Sequence, residues 1–336
     1  MRLAESVRNV LERSDRLRAI YDFAGSFPLY RRLVASRITK RIAEIEATRA
    51  YNVMIELSSA CNAKCHFCPS PTLERKKQIM PDEVFEVVLN KLQGDGIKPP
   101  VIDLSTVGEP LLDRALFTRI RRLKEVFPQS KVRFTSNFSI ATEDHISQVF
   151  SCGLDSIHIS LNAAKAESYA KIMKLNFDTT IRNVNSLLEQ RKTRSSPLNV
   201  LVSMVLCPEN SGEEPAFIRM WKGRVDSIRL QRAVDWGGEV EVRTPYRPTA
   251  TLYPCIDLFE RIVILSNGEV ALCCQDAEGI IHQNVRDESP FKIFHSSKFK
   301  AFRDQHLHGE IGKSPMCRNC YAVHSNGANW MFRNFN

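Results

Sequence analysis

Short apolar runs alternate with amphipathic helical stretches from about residue 51 to residue 232, and this alternation limits the fold more than any other feature. Segments that alternate in this way indicate βαβ units, in which crossover helices join parallel strands. The alternation by itself fits both a partial α/β barrel and an open doubly wound sheet. The predicted strands are Val53–Leu57, Val101–Leu104, Lys131–Phe134, Ser156–Ile159, Val200–Leu206 and Ser227–Leu230, and the helices predicted between them include Pro81–Leu92, Leu112–Val126, Glu143–Phe150 and Thr179–Arg191.

The alternation stops after residue 232, and a smaller unit with a different pattern follows. Ile262–Leu265 and Val270–Leu272 flank Asn267-Gly268, which predicts a β-hairpin around a tight turn. A helix is predicted over Phe291–Gln305. Because these segments carry few apolar residues, we expect a separate unit that needs a metal to be stable. The predicted domains are a helical extension at 1–50, a core at 51–245 and this small unit at 246–336.

The first 50 residues predict two amphipathic helices. One apolar face is formed by Leu3, Val7, Val10, Leu17 and Ile20, and the other by Leu29, Leu33, Ile38, Ile42 and Ile45. The segment holds eleven Lys/Arg and six Asp/Glu, in a chain with a net charge of +9. We expect a solvated helix face packed on the core; contact with anionic lipid, nucleic acid or an acidic protein is the alternative. There is no apolar signal segment and no run long enough to span a membrane, so we expect a cytoplasmic protein.

Ten cysteines are many for a cytoplasmic chain, and closely spaced thiols there indicate a metal site or catalysis. Three of them, in Cys61-Asn-Ala-Lys-Cys65-His-Phe-Cys68, follow the first predicted strand directly. Three thiolates can bind three irons of a four-iron cluster and leave the fourth iron open to a substrate. In a barrel, this loop also lies at the face where active sites collect. A zinc site with His66 as fourth ligand is the alternative, although the adjacent Cys65 makes tetrahedral ligation by both residues awkward.

The C-x3-C-x2-C spacing, with the aromatic Phe67 before its last cysteine, resembles the signature of the radical SAM enzymes. The resemblance covers residues 51–232. It implies a partial (β/α)6 barrel and a [4Fe–4S] cluster whose open iron binds S-adenosylmethionine (SAM). It also implies reductive cleavage of SAM to a 5′-deoxyadenosyl radical, which removes a hydrogen atom from the substrate.

Later strand ends carry further residues that resemble motifs of this family. Val107-Gly108-Glu109-Pro110 is similar to its Gly-Gly-Glu-Pro motif, with Val107 in place of the first glycine. Taken one at a time, such residues also fit turns and helix caps. The resemblance implies that the residues binding SAM are Phe67, Gly108, Glu109, Ser136, Asn137, Ser160, Asn162 and Arg232.

A second group of cysteines lies in the small unit, at Cys255, Cys273, Cys317 and Cys320. Four thiolates suit a structural zinc site or a closed four-iron cluster, and without a family zinc is the better interpretation. The spacing Cys255-x12-Gly268-x4-Cys273 resembles the SPASM and twitch extensions of radical SAM enzymes. Since no cysteine follows Cys320, the resemblance implies one auxiliary [4Fe–4S] cluster. Cys274 leaves open which of two adjacent thiols is the ligand.

The resemblance implies a radical SAM dehydrogenase that oxidises a small polyhydroxylated or amino-sugar-like molecule with help from the auxiliary cluster. The expected partners are that small molecule and an acidic electron donor such as a flavodoxin or ferredoxin. No nucleic acid is expected, and peripheral membrane contact through residues 1–50 stays open.

An alternative to oxidation depends on Cys207. It ends the fifth predicted strand on the same face as Ser203, so its thiol would suit an epimerase that returns a hydrogen atom. Simple packing is the other interpretation of Cys207. A peptide-modifying maturase and a zinc-stabilised binding protein are the remaining alternatives.

Overall fold

The computed structural model describes residue 23 and residues 27–238, 240–241, 252–320 and 323. One sheet of eight strands runs through this part of the chain, in the order β6-β5-β4-β3-β2-β1-β7-β8. The strands are β1 (Asn52–Ile55), β2 (Val101–Asp103), β3 (Lys131–Ser136), β4 (Ser156–Ser160), β5 (Asn199–Leu206), β6 (Ser227–Arg232), β7 (Arg261–Ile264) and β8 (Val270–Ala271).

Strands β1 to β6 pair in parallel and in chain order. A doubly wound sheet would reverse its strand order at a switch point, whereas here each new strand adds to the same side. The six predicted strands are therefore confirmed, and they form a partial (β/α)6 barrel.

Helices cover the outside of the sheet. They are α1 (Pro28–Thr48), α2 (Asp82–Gly94), α3 (Leu116–Val126), α4 (Glu143–Ser151), α5 (Ala166–Met173), α6 (Phe177–Thr193), α7 (Glu214–Trp221), α8 (Asp257–Glu260), α9 (Pro290–Phe294), α10 (Ser297–Leu307) and α11 (Pro315–Asn319).

Two of the predicted helices differ from the structure by more than two residues. The helix predicted from Leu112 begins at Leu116, because Pro110–Leu112 forms a separate 3-10 turn after Glu109. The single helix predicted over Phe291–Gln305 is two helices, α9 and α10. The break lies at Ser296, whose extended backbone (φ −65°, ψ 163°) cannot continue a helix.

The predicted hairpin of the small unit is present, but it is not separate from the barrel. β7 and β8 pair antiparallel, as expected, and β7 also pairs in parallel with β1, from Asn52↔Arg261 to Ile55↔Ile264. Ile262 and Ile264 are fully buried in the same hydrophobic core as the barrel strands. The hairpin therefore extends the barrel sheet, a long-range pairing that local sequence pattern does not encode.

Helix α1 packs on the barrel through part of the predicted face, since Ile38, Ile42 and Ile45 pack on the core. Val34, Ile38 and Ile45 are buried, with the first two against Tyr253 and Ile256. Leu29 and Leu33, expected on the buried face, are 70% and 48% exposed. At 100° per residue they point away from the stripe that Val34 and Ile38 define. The first predicted helix, with Leu3, Val7, Val10, Leu17 and Ile20, lies outside the described residues. Among the described helices, none has the length and apolar character needed to cross a bilayer.

Candidate active site

The three thiols of the first cysteine group lie together at the carboxyl end of β1. Cys61, Cys65 and Cys68 are half-buried and line one cavity. Burial raises the pKa of Cys61 to about 12, and the neighbouring charges of Glu109 and Cys68 add to this. Burial and then the other two thiols raise the pKa of Cys65 as well. Thiolates crowded in this way are stable only beside cations, so the donor set fits a cluster with three thiolate ligands.

The loop after β2 fits tightly against this cysteine loop. Gly108 lies so close that a Cβ built on it would be 1.8 Å from the carbonyl oxygen of Ser58. Only glycine allows this approach. The backbone N–H of Glu109 donates to the carbonyl oxygen of Ala60 (2.8 Å), directly before Cys61. The two loops therefore form one rigid wall of the cavity.

Glu109 is buried and is held by three donors. Its carboxylate accepts hydrogen bonds from Ser136 Oγ (2.7 Å), Asn137 N–H (2.8 Å) and Leu111 N–H (3.0 Å). Burial raises the pKa of Glu109 to about 7, although these three bonds act to lower it. Because its oxygens are occupied by the chain's own donors, Glu109 acts to lock the ends of β2 and β3 together.

Asn162 has a similar bracing position after β4. It adopts a left-handed backbone (φ 58°), which asparagine tolerates better than most residues. Its Oδ1 accepts the N–H of Val205 (2.9 Å), and its Nδ2 lies 3.0 Å from the sulfur of Met173. That sulfur is 3.2 Å from Cys65 Sγ, so Asn162 positions a thioether beside the cysteine loop.

The cavity contains about 900 Å³ of empty space, including its open mouth. It brings together seven of the eight residues predicted to bind SAM. The side chain of the eighth, Arg232, lies outside the described part of the structure. The seven are Phe67, Gly108, Glu109, Ser136, Asn137, Ser160 and Asn162.

Neutral polar groups and apolar side chains line the rest of this cavity. Hydroxyl, amide and imidazole groups come from Thr106, Thr135, Ser160, Gln231 and His158. The described lining residues include no lysine and no arginine, and the one carboxylate, of Glu109, is already bonded. These described groups can form hydrogen bonds with a polar ligand beside SAM.

Sequence reasoning missed several residues of this wall, among them His158, Met173 and Trp236. His158 shares a strand face with Ser160 two residues later, a period-2 signal that would have found it. Met173 was missed because helix α5 was not predicted. Trp236 follows β6, and its Nε1 donates to the carbonyl oxygen of Phe67 (3.0 Å), which no local pattern indicates.

Cys207 lies close to the cavity, but it is not among the described residues that line it. Val205, two residues earlier, does line the cavity. Strand β5 continues to Leu206, and Cys207 keeps an extended backbone (φ −145°, ψ 170°) before the 3-10 turn Pro208–Asn210. The N–H of Cys207 donates to Asn210 Oδ1 (2.9 Å). The thiol is buried beside His66 and Glu209, with the three candidate ligand atoms within 4.8 Å of one another. Burial and then a hydrogen bond to Glu209 raise the pKa of Cys207 to about 12.

The second cysteine group lies around the start of β7. Burial raises the pKa values of Cys255 and Cys273, and the charges of Cys274 and Cys320 raise both further, so these four thiols lie near one another. Cys317 is buried, and the N–H of Cys320 donates to its carbonyl oxygen (3.1 Å). Neighbouring thiols thus raise the pKa values of Cys255 and Cys273, whereas burial alone raises that of Cys317. The grouped thiols fit a second cluster on the same argument as the first.

Cys274 has a partner of its own in this group. Its thiol donates to Asp257 Oδ2 (3.6 Å), and Asp257 Oδ1 lies 3.2 Å from the guanidinium of Arg261. Cys274 is thereby bonded to a partly buried ion pair, which distinguishes it from Cys273.

The two cysteine groups lie at opposite ends of the barrel. The first follows the carboxyl end of β1, whereas Cys255 precedes β7, whose first residue pairs with the first residue of β1. Since each strand residue advances about 3.3 Å, β1 alone separates the two ends by about 10 Å. The interior of the barrel lies between them.

Comparison with known proteins agrees with this layout. The model of the radical SAM superfamily matches residues 55–220, and the model of the SPASM iron–sulfur cluster-binding domain matches residues 255–321. The chain is a radical SAM enzyme with a C-terminal SPASM domain. Its cofactors are therefore SAM, a [4Fe–4S] cluster in the barrel and auxiliary iron–sulfur ligation in the SPASM domain. This assignment replaces the zinc interpretations of both cysteine groups.

Individual radical SAM relatives are distant. A probable GTP 3′,8-cyclase from Saccharolobus solfataricus is 29% identical over 139 residues, which are 41% of this chain and 44% of the relative. The chain thus aligns with about half the length of the cyclases it matches. An S-adenosyl-L-methionine-dependent 2-deoxy-scyllo-inosamine dehydrogenase from Niallia circulans is 21% identical over 273 residues, 81% of this chain and 92% of the relative.

Among solved structures, SuiB from Streptococcus suis bound to the precursor peptide SuiA has the same fold. It superposes with a TM-score of 0.62 at 13% identity, over 79% of this chain and 70% of SuiB. At this identity the likeness concerns the fold alone.

Proposed function

We propose that this radical SAM enzyme is a dehydrogenase that oxidises one alcohol of a small, polyhydroxylated or amino-sugar-like molecule to a carbonyl. The observation that carries the proposal is the lining of the cavity. Recognition of a triphosphate such as GTP needs cationic side chains, and the described lining holds hydroxyl, amide and imidazole groups instead. Such groups match the hydroxyls of a polyol.

The positions of the two cysteine groups support an oxidation. Cys61, Cys65 and Cys68 would hold the cluster that binds SAM, and Cys255, Cys273, Cys317 and Cys320 would hold one auxiliary cluster. Bound there, these groups would supply a 5′-deoxyadenosyl radical that takes a hydrogen atom from the substrate, and an acceptor for the second electron. A substrate in the barrel interior would lie between the two cysteine groups, so a cofactor at either group could reach it.

The chain's own residues keep SAM and substrate in place. Gly108 lets the loop after β2 approach the cysteine loop, and Glu109 locks that loop to β3. Asn162 and Met173 support Cys65 from the opposite side. Cys273 is the ligand we assign, because Cys274 is bonded to Asp257. An acidic flavodoxin or ferredoxin would supply the starting electron, and membrane contact through residues 1–50 stays a proposal.

The test uses anaerobically reconstituted protein with SAM, a reductant and a panel of cyclitols and aminocyclitols, 2-deoxy-scyllo-inosamine included. We expect about eight irons per chain, and about four in the variant with Cys61, Cys65 and Cys68 changed to Ala. We also expect one 5′-deoxyadenosine per carbonyl formed. Turnover of a precursor peptide or of GTP, with none of any cyclitol, would overturn the proposal.

A further inference from the structure

His158 lines the cavity, and one of its imidazole nitrogens has no hydrogen-bond partner in the part of the chain that the structure describes. Its Nδ1 is 3.4 Å from Thr135 Oγ1. Its Nε2 is buried and has no hydrogen-bond partner among the described residues. Buried polar atoms in folded proteins are nearly always paired, so this nitrogen calls for a ligand atom.

The imidazole is neutral in this position. Burial lowers the pKa of His158 to about 3, and the nearby charges of Arg229 and Arg133 contribute. A neutral imidazole offers one donor and one acceptor, so it can bond a hydroxyl group in either direction. It carries no charge that would attract a phosphate.

His158 lies one layer deeper in the barrel than the residues assigned to SAM. On β4 it shares the inward face with Ser160 but precedes it by two residues, about 6.6 Å along the strand. Gly108, Ser136 and Ser160 surround the carboxyl ends of the strands. A ligand bonded to His158 would therefore sit below SAM, on the side of the auxiliary cysteines.

We propose that Nε2 of His158 hydrogen-bonds one hydroxyl of the substrate and thereby selects a polyol at this depth of the barrel. The class of substrate rests on the proposed function; the place of contact rests on the position of His158. Thr135 and Gln231 are the neighbouring polar groups of the same wall.

The experiment measures equilibrium binding of the cyclitol panel to the SAM-bound holoenzyme, with His158→Leu, His158→Gln and the outer-surface control His145→Gln. Loss of one neutral hydrogen bond should weaken binding of the best cyclitol about tenfold in His158→Leu. His158→Gln, which keeps a donor and an acceptor, should recover most of the lost affinity. His145→Gln should match the wild type, and SAM affinity should be unchanged in all three.

Deoxy analogues of that cyclitol locate the contact. One analogue, lacking the bonded hydroxyl, should bind wild type and His158→Leu equally, while the others keep the tenfold difference. Equal binding of every cyclitol by wild type and His158→Leu overturns the inference and leaves the proposed function standing. No binding of any cyclitol to the wild type overturns both. A weaker affinity for SAM in His158→Leu assigns the nitrogen to SAM and overturns the inference alone.

Discussion

Replacing Gly108 with alanine tests the argument that two loops form one rigid wall around the first cysteine group. The added Cβ would lie 1.8 Å from the carbonyl oxygen of Ser58 and 2.9 Å from that of Ala60. Real Cβ contacts stay above about 3.0 Å, so the loops must separate by about 1.2 Å. Both neighbours are backbone atoms and cannot rotate away.

This separation acts directly on Cys61. The bond between Glu109 N–H and the carbonyl oxygen of Ala60 ties the loops at the residue before Cys61. A displacement of about 1 Å in reacting groups can lower a rate about 100-fold. Overpacking of this kind also costs about 1–3 kcal/mol of folding free energy. We therefore expect Gly108→Ala to fold with reduced stability and to cleave SAM about 100-fold more slowly.

The matched control is Gly94→Ala at the end of helix α2, where a new Cβ meets nothing within 4 Å. Alanine is the better helix former by up to about 1 kcal/mol, so this variant should keep full activity and gain slightly in stability. The assays are iron content, 5′-deoxyadenosine formed after reduction, and thermal unfolding. A Gly108→Ala variant that cleaves SAM at a rate within threefold of the wild-type rate would refute the reasoning.

Three further predictions concern single side chains. Cys207→Ala should form product at a rate within about tenfold of the wild type, roughly 1.4 kcal/mol of barrier. Product formed in deuterated water should carry no deuterium at the reacting carbon. Loss of turnover in Cys207→Ala, with SAM still cleaved, would support the epimerase instead. The pKa of Glu109 is raised to about 7, so the folded state keeps a proton that the unfolded chain loses near pH 4.5. Its contribution to the free energy of unfolding should therefore fall by up to about 3 kcal/mol between pH 4.5 and 7 and stay constant above, and denaturant unfolding of Glu109→Gln should lack that fall. Ile38→Ala should lower the free energy of unfolding by about 2–5 kcal/mol and lower the retention of auxiliary iron, because Ile38 packs on Ile256, the neighbour of Cys255. The control Leu33→Ala, at an exposed position, should change the free energy of unfolding by no more than about 0.5 kcal/mol.

The sequence determined the features that depend on short spacing. The three cysteines of the first group lie within eight residues, so any loop that holds them brings their thiols together, and the structure does so. The parallel pairing of strands β1 to β6 followed from the alternation of patterns, because parallel strands need a crossover connection such as a helix. The alternation left the order of these strands open, and the structure decided it. Seven of the eight residues predicted to bind SAM reach one cavity because they follow the carboxyl ends of successive parallel strands.

Tertiary structure decided what depends on contacts between distant segments. The pairing of β7 with β1 joins residues about 200 positions apart and attaches the predicted hairpin to the barrel sheet. The same pairing puts the two cysteine groups at opposite ends. Strand alternation places Cys207 with Val205, and both pack in one cluster with the three cysteines of the first group. Only the tertiary structure shows that the Cys207 thiol lies beside His66 and Glu209, outside the described cavity lining. His158 is a further example. Its alternation with Ser160 can be read from the local sequence, whereas the lack of a partner for its Nε2 among the described residues depends on all the segments packed around it. Local spacing specifies which residues share a loop or a strand face, whereas the surroundings of a side chain come from long-range packing.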